Sequence, residues 1–131
     1  MCYCAGMSNL PPVPTTFAEF WPYYMAAHQD PRNCAVHYVG STGGVAAAVA
    51  AVWTGQLGWI AAGVVFGYAC AWFGHFVFER NKPASWVRWW WSFLGDWRMY
   101  AAKLSGRSAE AVALGRGLPD ISEMVRAKQR A

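Results

Sequence analysis

Residues 33–78 read NCAVHYVGSTGGVAAAVAAVWTGQLGWIAAGVVFGYACAWFGHFVF, and none of these 46 positions is Asp, Glu, Lys or Arg. Arg32 closes the stretch on one side and Glu79 on the other. A run of about 18 or more uncharged, mostly apolar residues marks a bilayer span, because a helix of about 20 residues crosses the hydrocarbon core. This stretch holds two, roughly residues 34–54 and 57–79, turning near Gln56 in VWTGQLGW. Its Gly and Ala content suits close helix–helix packing in lipid. The glycines within residues 40–44 read as a candidate helix break, which leaves a re-entrant or interfacial first span open. A buried soluble hairpin is the plainer alternative.

The rest of the chain agrees with the membrane reading. Apolar residues make up 56% of the 131 and charged residues 14%, against about 45–50% and 25% in soluble domains. The formal net charge is +4, without a basic run, so nucleic acid is not an expected partner. Lipid is. The four cysteines, Cys2, Cys4, Cys34 and Cys70, form no CxxC pair, and reduced thiols are expected. The N-terminus has no basic segment followed by an apolar run, so no cleavable signal is expected, and Met7 offers an alternative start.

The turn carries no charge, while Arg32, Arg80, Lys82 and Arg88 flank the outer ends. The bias of Lys and Arg toward the cytoplasmic face then puts both termini there, in a multi-pass protein of the inner or plasma membrane. Upstream, residues 1–15 read as a disordered lead-in. Thr16 and Glu19 make a capping-box pair that starts a helix running to about Gln29, kinked at Pro22. Asp30 and Pro31 then cap and begin the next helix. Downstream, a helix over residues 84–104 places Trp86, Trp90, Phe93, Trp97, Tyr100 and Leu104 on one face, with Arg88, Ser92, Gly95 and Lys103 opposite. Such a stripe predicts a helix lying in the membrane interface, with its polar face toward water or headgroups. Residues 106–131 read as a polar tail, with Asp120 and Glu123 capping a short basic helix. The fold class is therefore all-α and integral to the membrane. A kinked N-terminal helix, a transmembrane hairpin and an amphipathic Trp-rich helix make one membrane domain over residues 16–105.

The chemistry-bearing residues cluster at one level. His37 lies 19 residues before Gln56 and His75 19 residues after it, so a hairpin turning at Gln56 sets the two imidazoles at equal height. The break at Asp30 and Pro31 lets the first helix fold back and bring His28 to the same boundary. Glu79 follows His75 by four residues, on the same helix face. Three imidazoles with a carboxylate suit a divalent transition metal, and such mixed sites with open positions suit Fe(II). Asn33 and Asp96 are candidates to orient an imidazole. Read otherwise, the histidines are packing residues and Glu79 is an interface charge beside Arg80 or Lys82. Intramembrane ionisable groups are costly, which favours function for the histidines, whereas spacing alone favours the interface role for Glu79.

Three blocks carry a resemblance: FWPYYMAAHQDPRNCAVHYVG, WFGHFVFERNKPA and WSFLGDWRMY. Together they are similar to the family of small membrane proteins typified by the eukaryotic 2-hydroxy-palmitic acid dioxygenase, over about residues 17–105. The matching positions are Tyr24, His28, Asn33, His37, Gly74, His75, Glu79, Pro83, Ala84, Gly95, Asp96 and Met99. The resemblance implies a membrane enzyme of fatty-acid α-oxidation that uses Fe(II) and O2 to shorten a 2-hydroxy fatty acid by one carbon, its histidines holding the iron. The longer insertion between the spans of the eukaryotic form is missing here. A metal at the cytoplasmic boundary would meet the carboxylate and 2-hydroxyl of such a substrate, with Arg32, Arg80 or Lys82 as the cation for the carboxylate. The alternative is a non-enzymatic membrane protein whose Trp-rich helix binds lipid or a partner and whose histidines are structural. A di-iron desaturase or hydroxylase fails on the histidine count.

Overall fold

The computed structural model describes residues 11–130, which form helices and no strand. Cys2, Cys4, Met7 and most of the expected lead-in lie outside the described residues. The helices are α1 (Phe17–Ala26), α2 (Pro31–Thr54), α3 (Gly58–Gly74), a π-helical turn (His75–Glu79), α4 (Ser85–Leu104), α5 (Ser108–Gly115) and α6 (Ile121–Arg130).

The hairpin of α2 and α3 is the long axis of the molecule. Asp30 caps α2 by accepting from the Arg32 amide at 2.9 Å, and Pro31 occupies the first helical position. The helix ends at Gly55, whose φ of 70° only glycine adopts without cost. The expected break at residues 40–44 does not occur, because α2 runs through them unbroken. These glycines are contact surfaces. A Cβ on Gly40 would lie 3.0 Å from the Cys70 Cβ, and one on Gly43 would collide with the Phe66 ring. On the facing helix, a Cβ on Gly63 would lie 2.7 Å from the Ala47 Cβ. Close approach of the two backbones offsets the glycines' weak helix propensity.

Both hairpin helices are long and apolar enough to cross a membrane, and only 22% of each span is buried. Val52, Trp53 and Leu57 near the turn are more than 80% exposed. A hairpin at the heart of a soluble domain would have these side chains covered.

The other helices gather at the hairpin's open end. The Thr16 and Glu19 capping box starts α1 as expected, and α1 continues past Pro22 but ends at Ala26, short of Gln29. Phe20, Trp21, Tyr24 and Met25 from α1 form the core with Cys34, Met99, Ala111, Ile121 and Met124. Residues 108–130 are thus not only a polar tail: α5 and α6 pack over α1. Gly115 lies so close to the α1 backbone that a Cβ there would collide with Met25 and Ala26. Asp120 caps α6 through the Glu123 amide at 2.9 Å.

Helix α4 crosses the base of the hairpin. Trp86 packs on Trp72 and Phe76, and the Tyr100 hydroxyl lies 3.0 Å from that of Thr42. Its aromatic face is largely exposed, with Trp86, Trp89 and Trp90 each more than half accessible. The opposite face departs from expectation in part: Arg88 and Lys103 are exposed, but Ser92 and Gly95, with Met99 beside them, are buried and not turned to water or headgroups. The reason is contact with α1. A Cβ on Gly95 would stand 2.9 Å from the Tyr24 ring, so this small-residue face is the one that fits against the core. The helix is also interrupted at Arg88, where φ −140° and ψ 67° are not helical.

Candidate metal centre

Three elements deliver one imidazole each. His28 comes from the short link after α1, where the chain turns back toward Asp30. His37 sits in the second turn of α2. His75 opens the π-helical turn at the end of α3. All three are buried, at 0%, 4% and 2% exposure. Ring centroids are 4.6 Å apart for His28 and His37, 4.6 Å for His28 and His75, and 5.1 Å for His37 and His75. One nitrogen from each lies within 4.8 Å of the others.

In each ring Nδ1 is held. His28 Nδ1–H donates to the Tyr24 carbonyl at 2.7 Å. His37 Nδ1–H donates to Asp96 Oδ1 at 3.0 Å. His75 Nδ1–H donates to Asn81 Oδ1 at 2.7 Å. These bonds fix tautomer and ring orientation, leaving Nε2 as the free lone pair. The Nε2 atoms of His28 and His37 are buried without any hydrogen-bond partner. Burial, then the neighbouring His37 and His75, pushes the His28 pKa well below the ordinary imidazole value. A neutral ring is what a metal requires. Converging imidazoles, two of them with orphaned nitrogens, can hold a metal ion, and the donor set fits one.

The supports come from distant parts of the chain. Asp96 on α4 also accepts from the Tyr24 hydroxyl, and the Tyr24 ring stacks on His28 with centroids 4.2 Å apart. Burial, then the Asp96 carboxylate, pushes the Tyr24 phenol well above its ordinary value, so it stays protonated and donates. Asn81 is brought back over His75 by the π-helical turn and by Arg80, which adopts a left-handed φ of 55°. Its amide N–H reaches the His75 carbonyl at 3.1 Å, and Nδ2 reaches the Ala27 carbonyl at 3.2 Å, tying His28's link to His75. Sequence reasoning missed Asn81. A residue six positions after a histidine is no signal in a straight helix. It becomes one only where the helix widens and reverses.

Glu79 lies at the edge of the site and is not a member of the three-nitrogen group. Its Oε1 accepts from the Asp30 amide at 2.5 Å and faces Asn33 Nδ2 at 3.5 Å, closing the base of the hairpin at the N-terminus of α2. Asn33 is wholly buried beside it and approaches Gly74 so closely that a Cβ there would collide with Asn33 Oδ1. Gly74 and Gly95, each just before a site residue, thus make room for Asn33 and Tyr24. Pro83, Ala84 and Met99 are buried alongside. Arg32 pairs with Asp30 at 2.7 Å and lies over the Phe78 ring. Arg80 and Lys82 are exposed.

Two cavities meet at His37, Tyr68 and Asp96. The larger, of about 200 Å³, runs along α2 from His37 past Gly40 and Gly44 to Ala48. It is bounded by Gly63, Val64 and Gly67 of α3 and by Phe93 and Trp97 of α4. No Arg or Lys lines it. The smaller lies between His37, His75 and Ser92.

Comparison with protein families matches residues 14–108 to the model described as 2-hydroxy-palmitic acid dioxygenase Mpo1-like. The chain belongs to this Mpo1-like family. No curated protein and no solved structure matches it. The family match spans all three histidines, their supports Tyr24, Asn81 and Asp96, and both cavities, while leaving α6 outside. The family's description suggests a dioxygenase-like role for the chain.

Proposed function

We propose that this chain is an integral membrane, Fe(II)-dependent dioxygenase that shortens 2-hydroxy fatty acids by one carbon. The observation that carries this reading is the set of three buried imidazoles, each fixed at Nδ1, with the Nε2 atoms of His28 and His37 left unpartnered. His28, His37 and His75 would hold the ion. Bound iron would supply the activation of O2 and the electrophilic site for the substrate's oxygens. A three-histidine set leaves open positions for both.

The chain's own residues then do the rest. Asp96 and Asn81 hold His37 and His75 in the tautomer that presents Nε2. Tyr24 holds His28 through its carbonyl and Asp96 through its hydroxyl. Glu79, with its oxygen on the Asp30 amide, keeps the ends of α2 and α3 together and is a positioning group on this reading, not a fourth ligand. Asn33 packs beside it in the same role. The apolar cavity from His37 to Ala48 takes the acyl chain. Its glycine floor and aromatic wall suit methylenes, and its only charged lining group is Asp96, at the histidine end. The carboxylate of the substrate then lies at the membrane boundary. There the exposed Arg80 and Lys82 are the available cations, Arg32 being paired with Asp30.

The exposed apolar hairpin supports insertion in a bilayer, with α4 lying across its base at the interface. The positions of Arg32, Arg80, Lys82 and Arg88 favour cytoplasmic termini. The test is iron per protein after anaerobic reconstitution, together with consumption of a 2-hydroxy fatty acid. Wild-type protein should load one iron, and His37→Ala or His75→Ala should lose both iron and turnover while still inserting in membranes. Full iron retention in both variants would return the protein to a non-enzymatic, lipid-binding role.

A further inference from the structure

Ser92 is buried at 4% exposure on α4, and its Oγ has no hydrogen-bond partner. A serine inside a helix ordinarily bonds back to the carbonyl four residues earlier. That residue is Arg88, the one position in α4 with non-helical φ and ψ. A ψ of 67° turns the Arg88 carbonyl out of the helical direction, so the usual acceptor is lost. The hydroxyl is freed by the backbone itself.

It is freed into a chamber. The smaller cavity, about 10 Å³, is lined by Ser92 together with His37, His75, Asp96, Tyr24 and Tyr68. That is room for about one water-sized molecule, and the wall offers the several polar partners such a molecule needs. The chamber shares His37, Tyr68 and Asp96 with the long apolar cavity but is far too small for a fatty acid. The two compartments meet at His37 and differ in size and polarity.

We propose that the Ser92 hydroxyl donates a hydrogen bond to one small oxygen ligand, water or dioxygen, held in this chamber beside His37 and His75. Ser92 is then a positioning residue for the small reactant, in a compartment separate from the one that takes the acyl chain. The inference rests on the metal reading above and concerns a side chain that touches no metal ligand through a hydrogen bond.

The experiment uses full-length protein in detergent, loaded anaerobically with Fe(II) and titrated with nitric oxide as the diatomic probe, followed by electron paramagnetic resonance. Ser92→Ala should keep the wild-type iron content and weaken nitric oxide binding about 3- to 10-fold, the loss of one hydrogen bond. Ser92→Val, which fills the chamber without a hydroxyl, should weaken it further. Line broadening in water carrying the magnetic oxygen isotope, present in wild type and absent in Ser92→Ala, would identify water as the occupant. An affinity change without broadening would identify the diatomic. Unchanged affinity and spectrum in both variants overturns the proposal, as does loss of iron from Ser92→Ala, which would make the residue structural. Wild-type protein that takes up no iron overturns the metal reading as well, so the two failures are distinct.

Discussion

His37 Nδ1 and Asp96 Oδ1 are 3.0 Å apart, although 59 residues separate them. One partner lies on the long hairpin and the other on the helix that crosses its base. The same carboxylate oxygen accepts from the Tyr24 hydroxyl, so Asp96 joins α1, α2 and α4 at one point.

Asp96→Ala should therefore weaken metal binding about 10- to 100-fold, the usual cost of losing the group that orients a ligating imidazole. Tyr24→Phe should cost less, since Asp96 keeps its bond to His37. Competition for the metal against a graded series of chelators measures both. Equal affinity in Asp96→Ala and wild type would remove Asp96 from the site.

Asn81 makes a sharper test, because the acceptor alone matters to His75. Asn81→Asp retains an oxygen for Nδ1–H and should keep most metal affinity. Asn81→Ala should lose about 10-fold or more. The ordering wild type, Asp, Ala is the expected result, and a variant pair that behaves alike would contradict it.

Two glycines should be intolerant for steric reasons. Gly74→Ala forces a Cβ into Asn33, and Gly95→Ala forces one against the Tyr24 ring. Each should cost about 1–3 kcal/mol as overpacking and reduce metal loading, since Asn33 and Tyr24 border the site. Gly55→Ala, at φ 70° with open space around it, should cost about 1 kcal/mol and leave metal loading unchanged. Thermal unfolding in detergent, read beside metal content, separates the two classes.

The metal-free protein should be acid-sensitive. Burial holds the His28 pKa well below its unfolded value, so folding favours the neutral ring. The associated stability is complete above the ordinary imidazole pKa and is lost as pH falls below it toward the folded value. Unfolding midpoints of metal-free protein should fall across that acidic window. His28→Gln should flatten the decline, and an equally steep profile in the variant would assign it to other groups.

Reporter fusions at Gln56 and at the C-terminus should report opposite sides of the membrane. Signal from the same compartment at both points would rule out the two-span hairpin.

The sequence by itself determined the hairpin. An uncharged run of residues 33–78 with a central turn points to two antiparallel helices, because apolar side chains and backbone hydrogen bonding constrain it locally. The caps at Thr16 and Asp30 are equally local, since each reads over three or four residues. The level of His37 and His75 followed from counting along two antiparallel helices of equal rise. What only the tertiary structure decided was contact between elements. Whether the glycines of residues 40–44 break a helix or seat its neighbour depends on Phe66 and Cys70, more than twenty residues away. Which face of α4 is buried depends on Tyr24 needing the space at Gly95, against the polarity pattern. The roles of Asn81 and Glu79 depend on a π-helical turn and a left-handed Arg80, a backbone choice that no side-chain periodicity encodes. The freedom of Ser92 has the same origin: one carbonyl, at Arg88, turned away from where a regular helix would put it.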